Sequence, residues 1–228
     1  MAIRVPGSPH PPSGHPLPAG EGNFGIGTAS TPGTAPLTMA PSSSASTTRA
    51  SRAAIEAPDG VLKALYEARD QKVARAIGIT CHAAPAALRT ALERHDFDCT
   101  QMALNAARAR MAEGKGGMKA TLMSAGGFEE LALPVAVGKG MGVIAMKVFG
   151  QDQIVGAAPI DKLLAYALSL PVSLASLGMP KPEFIEGNIQ LARAFTPMPE
   201  AERRRLTESI AAERKVALAD FFRHHVDA

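Results

Sequence analysis

The 228 residues suffice for one domain, or for one domain with a tail. Hydrophobic residues make up 46% of the chain and aromatics only 4%, so a core has to be built from Ala, Leu, Val, Ile and Met. Charge is close to balance, with 24 Lys and Arg against 21 Asp and Glu, and no basic stripe carries aromatic partners, which argues against a nucleic-acid binder. No apolar run approaches the ~18 residues of a membrane span, and no charged stretch leads into an apolar one as in a secretory signal. A soluble, cytoplasmic protein is expected.

Nine of the eighteen prolines fall in residues 1–50, and Ser42 to Thr48 is almost wholly Ser, Thr and Ala. Proline removes backbone donors, and Gly and Ser add chain entropy that no core here offsets, so a disordered segment is expected. Gly20, Gly22 and Gly25 match the spacing of a dinucleotide-binding turn. They follow Pro16-Leu17-Pro18-Ala19 rather than a strand, and open no helix, so the match carries no site.

A regular pattern starts at Asp59, a candidate cap for a helix that places Val61, Leu62, Leu65 and Tyr66 on one face. Ala74–Thr80 reads as a short strand, Pro85 opens a second helix, and Phe97–Leu104 reads as another strand. A loop rich in Gly, Lys and Met runs from Ala106 to about Gly127. Phe128–Lys139 is helical with a kink expected at Pro134. Gly142–Lys147 is the clearest strand in the chain. Pro159 starts a helix that Pro171 stops, Val172–Gly178 is the last strand, and helices cover Glu183–Phe195 and the tail from Glu200 to about His225. Strands alternating with helices mean βαβ units and a parallel sheet. Periodicity leaves two architectures open, an open α/β sheet and one half of a (βα)8 barrel.

Few side-chain groupings suggest chemistry by themselves. Cys81 and Cys99 are spaced for neither metal nor redox work and read as reduced, buried thiols. Cys81 and His82 are adjacent on a strand and face opposite ways, so they form no nucleophile–base pair. His224-His225 lacks further ligands at metal spacing, and no metal site is expected. Arg203 to Lys215 is interleaved with Glu and reads as an exposed helix face.

Four blocks, in order and in register, resemble the second half of an aldo/keto reductase. Ala76-Ile77-Gly78-Ile79-Thr80-Cys81-His82 is similar to that family's fifth barrel strand, which ends in G-[IVF]-[ST]-x-[HF]. Asp96 to Asn105, with Gln101 and Asn105 four apart, resembles the sixth strand, and Gly140 to Lys147 the seventh. Gly178-Met179-Pro180-Lys181-Pro182-Glu183 with Asn188 resembles the eighth strand and the helix that holds the adenosine end of the cofactor. The likeness runs from about residue 53, so two regions are expected: a disordered 1–50, and a 51–228 holding four parallel strands of a (βα)8 TIM barrel with C-terminal helices.

The resemblance implies an NADP(H)-dependent reductase of small carbonyl compounds, with its site at the carboxyl ends of the strands. It places Thr80 and Gln101 at the nicotinamide amide with Asn105 nearby, and Met146 against the nicotinamide face where relatives carry Tyr. Lys147 and Lys181 would meet phosphate and Asn188 the adenine end. Gln101 and Asn105 read equally as bonds to neighbouring loops, and either lysine as a solvated loop charge. The family's Gly-x-[KR]-[ST]-Pro-Glu is altered here, with Pro180 and Lys181 in the middle places and Gly187 where a Glu precedes the Asn, so NAD(H) fits as well as NADP(H). The family's Asp, Tyr, Lys and His belong to its first four strands. Neither tyrosine here, Tyr66 or Tyr166, ends a strand. The expectation is a truncated family member without catalytic residues, its cofactor binding weak or lost, which self-associates through exposed sheet edges. The alternative is a non-catalytic half-barrel that binds nucleotide or a protein partner.

Overall fold

A computed structural model describes residues 2–4, 55–82, 84–108, 110–114, 117–121, 127–150, 152–179 and 181–210. In chain order the elements are β1 (Ala2–Arg4), α1 (Val61–Asp70), β2 (Gly78–Cys81), α2 (Pro85–Arg94), β3 (Cys99–Ala103), β4 (Arg110–Gly114) and β5 (Gly117–Thr121). A π-helical turn (Phe128–Ala132) then runs into α3 (Leu133–Gly138), followed by β6 (Gly142–Met146), α4 (Ile160–Leu168), β7 (Leu174–Ser176), α5 (Glu183–Arg193) and α6 (Glu200–Ser209).

The main sheet has the order β1-β7-β6-β3-β2, and β2, β3, β6 and β7 are mutually parallel. These four strands follow one another in space as in sequence, with no reversal of direction. A doubly wound sheet needs such a reversal. Right-handed crossovers in one direction instead put every helix on the same face, as in a (βα)8 barrel. Strand order thus settles what periodicity left open.

Burial is more complete on one face. On the helix-covered face Thr100, Met102, Val143, Ala145 and Ala175 are at most 1% exposed, while on the other face Gly78, Thr80, Cys99, Gly142, Ile144, Leu174 and Ser176 are half-buried and Gln101, Ala103 and Met146, toward the carboxyl ends, are buried. The core lies between that first face and α2, α3 and α4, where Leu88, Leu92, Phe128, Ala132, Leu163, Leu164 and Tyr166 are buried.

The structure corrects several sequence expectations. Asp59 does not cap α1: Gly60 holds that position, with no side-chain hydrogen bond. The Pro134 kink takes the form of a π-to-α transition. Pro134 falls in the first turn of α3, where its missing N–H leaves no gap, and Glu130 Oε2 accepts from Gly127 N at 3.0 Å. The loop after Ala106 contains the antiparallel hairpin β4–β5, with Gly114 opposite Gly117. Within the Pro-rich segment, residues 2–4 form β1, antiparallel to β7. Residues 5–54, including the Gly20, Gly22 and Gly25 spacing, and the His224-His225 pair lie outside the described residues. Among the described residues no helix is long and apolar enough to cross a membrane, and no group of His, Cys, Asp and Glu could hold a metal ion.

Candidate functional site

The carboxyl ends of the parallel strands gather most of the residues singled out in the sequence. Register pairs Thr80 with Gln101, and Gln101 with Ile144. Directly paired residues in parallel strands share a face, so Thr80, Gln101 and Ile144 line the half-buried face together. Met146, paired with Ala103, lies two residues further along that face and is buried. Thr80 Oγ1 and Gln101 Oε1 are both buried and have no hydrogen-bond partner. A buried orphan of this kind costs ~1–3 kcal/mol; Thr100 Oγ1, on the helix-covered face, is another, but Thr80 and Gln101 are the two that stand side by side.

Asn105 follows β3 by two residues and is 3% exposed. Its carbonyl accepts from Arg108 N at 2.8 Å, closing a tight turn. Lys147 follows β6 with φ of 56°, a left-handed conformation uncommon for a residue with a Cβ. Lys181 is exposed just ahead of α5, and its carbonyl accepts from Phe184 N. Asn188 is buried in the middle of α5. The first turn of α5 carries Glu183 and Glu186, which oppose an anion at that helix end. The structure thus brings Thr80, Gln101 and Met146 onto one face, whereas Lys181 and Asn188 belong to the α5 segment beyond β7.

Both tyrosines are engaged elsewhere. Tyr66 Oη accepts from Asp96 N at 3.0 Å, and the Arg69 guanidinium lies 5.4 Å from its ring centroid. Tyr166 is 2% exposed and donates to Glu129 Oε2 at 2.9 Å. Burial, with the nearby Glu129 charge, pushes its hydroxyl well above the usual phenol range. A proton donor at neutral pH needs the opposite shift. Arg108, itself left-handed at φ 53°, pairs with Glu129 at 3.9 Å and with Glu130. This cluster escaped the sequence reading because Arg108, Glu129 and Tyr166 are far apart in the chain and follow no motif. A cavity of about 10 Å³ beside it, lined by Ala103, Leu104, Asn105, Arg108, Phe128 and Glu129, has room for about one water molecule.

Cys81 faces the helix side and donates to Ala84 O at 3.6 Å. Cys99 lies on the opposite face between Gly78 and Gly142. Burial, with Asp98 adding its negative charge, pushes the Cys99 thiol up to about 11, so it is a poor nucleophile.

No protein-family model matches the sequence, and no curated protein matches it. Among solved structures, an aldo-keto reductase from Bacillus halodurans in its holo form matches with a TM-score of 0.51 at 16% identity, over 69% of this chain and 58% of its own. The apo form matches with a TM-score of 0.51 at 17% identity, over 69% and 59%. The chain therefore spans less than two thirds of the length of these neighbours. In its four parallel strands and their helices, it has the partial (βα)8-barrel fold found in the aldo-keto reductases.

Proposed function

We propose that this chain is an aldo/keto reductase by descent and carries the part of that site which grips the nicotinamide end of NADP(H) or NAD(H). The observation behind this reading is the paired, unpartnered Thr80 Oγ1 and Gln101 Oε1. A primary carboxamide has N–H donors and one carbonyl acceptor. Gln101 Oε1 takes one N–H, the Thr80 hydroxyl donates to the carbonyl, and both orphans are satisfied at once.

The remaining residues have fitting roles around that contact. Met146 offers a polarisable apolar surface to a ring on the same face, and Asn105 holds the turn beyond β3. Lys147 and Lys181 supply positive charge for phosphate, and Asn188 a polar contact at the adenosine end. Glu183 and Glu186 work against the phosphate contact, so weak affinity is expected.

When bound, the cofactor supplies hydride for a small carbonyl substrate. None of the assigned residues supplies the accompanying proton, and the two tyrosines that could are committed to Asp96 and Glu129. The chain alone is therefore proposed to bind cofactor without reducing carbonyl compounds. Quenching of NADPH fluorescence, with carbonyl reduction followed in the same cuvette, tests both parts. Binding without turnover supports the proposal. Absence of binding removes the cofactor role, and turnover removes the non-catalytic one.

A further inference from the structure

Arg108 ends the turn that follows β3, in a left-handed conformation with φ of 53°. A residue with a Cβ is disfavoured there, so other contacts must secure the turn. The Arg108 N–H donates to Asn105 O at 2.8 Å, and Leu104 N, where the turn begins, donates to Met146 O at 3.1 Å. The turn is thereby tied to the carboxyl end of β6 as well as to that of β3, at the residue proposed to face the nicotinamide ring.

Packing alone leaves slack. The cavity of about 10 Å³ borders Asn105 and Arg108 on one side and Phe128 and Glu129 on the other. The Arg108 guanidinium supplies a link between the two sides, meeting Glu129 at 3.9 Å and also Glu130. Both carboxylates are themselves held. Glu129 accepts from the Tyr166 hydroxyl at 2.9 Å, and Glu130 from Gly127 N at 3.0 Å. Behind them the π-helical turn is set in the core by the buried Phe128 and Ala132.

We propose that Arg108 is a positioning residue, whose side chain braces the Leu104–Arg108 turn against the π-helical turn and so holds Asn105 and Met146 for the cofactor. This rests on the nicotinamide reading above. Arg108 is assigned no contact with the cofactor and acts only through the turn. Loss of the Tyr166 hydroxyl alone leaves both carboxylates facing Arg108, whereas loss of the guanidinium cuts both contacts at once.

Arg108→Asn and Arg108→Lys separate the brace from the backbone. Asn is at ease in the left-handed region but too short to span to the carboxylates. Lys keeps the charge and most of the reach, without the fork geometry. Hydrogen exchange at Leu104 and at residue 108 reads the turn, β6 amides report that the fold is intact, and quenching of NADPH fluorescence gives the affinity. Arg108→Asn should speed exchange at both turn positions and weaken NADPH binding by up to about fivefold, the range of a partly exposed ion pair. Arg108→Lys should recover most of both. Unchanged exchange in Arg108→Asn would overturn the brace. Faster exchange with unchanged affinity would overturn the positioning role, leaving a contact that serves stability only. A parent chain that binds no NADPH would instead remove the cofactor reading, and the positioning role with it.

Discussion

Thr80 and Gln101 stand opposite each other on β2 and β3, each with a buried oxygen that meets no hydrogen-bond partner. Replacing Thr80 by Val keeps the shape and removes the orphan, so the free protein should become more stable by about 1 kcal/mol. The same change removes the proposed donor to the carboxamide and should weaken NADPH binding roughly fivefold or more. Urea unfolding and fluorescence quenching measure the two effects. Loss of stability with unchanged binding would refute the ligand role.

Gly78 is forced by the neighbouring strand. A Cβ there would lie 2.5 Å from Cys99 Sγ and 2.9 Å from Cys99 O. Gly78→Ala should therefore destabilise by ~1–3 kcal/mol as β2 shifts away from β3. Adding Cys99→Ala relieves the sulfur contact but not the carbonyl one, so the double variant should recover only part of the loss. Full recovery in chemical denaturation would show that the backbone contact is harmless.

The Cys99 thiol gives a pH dependence with a definite sign. Its folded-state value of about 11 lies above the ordinary 9.0 because burial, and then Asp98, oppose the thiolate. Below pH 9 the thiol is neutral in both folded and unfolded chains and leaves stability unchanged. Between about pH 9 and 11 the unfolded chain loses its proton first, so stability falls as pH rises. Tyr166, raised from its ordinary 10.0, adds a loss of the same sign at higher pH. The urea midpoint should decline from pH 9 upward, and Cys99→Ala should delay that decline until Tyr166 takes over.

Tyr166 is predicted to be structural. Tyr166→Phe removes the donor to the half-buried Glu129 and should cost about 1–2 kcal/mol. NADPH binding should not change, since the hydroxyl serves Glu129 and not the Thr80–Gln101 face. A variant with unaltered stability and impaired binding would place Tyr166 in the site instead.

Much of the fold was legible locally. Val143, Ala145 and their neighbours make β6 readable as an apolar run between glycines, and the prolines at 85, 159 and 171 mark helix limits close to where they occur. The β4–β5 hairpin was not legible, because β4 shows no alternation of apolar and polar side chains and β5 alternates only over Met118–Thr121, a short stretch among glycines. Strand β1 was missed for a related reason: three residues are too few to carry a period, and only β7 makes them a strand. The candidate site was half legible. Thr80, Gln101 and Met146 were singled out individually, but that they share a face depends on β2, β3 and β6 pairing in one particular register.

By itself the sequence determined the alternation of strands and helices, the apolar residues of the core, and the lack of an aromatic-rich interior. These follow from side-chain period and backbone propensity, which act within a few residues. Only the tertiary structure decided that the strands run β2-β3-β6-β7 without reversal, that β1 pairs with the outer side of β7, and that Thr80 and Gln101 are left with unpaired oxygens. It also decided that Tyr166 belongs to Glu129, 37 positions away. Register and burial bring together atoms from distant parts of the chain, and no local pattern encodes which of them will find a partner.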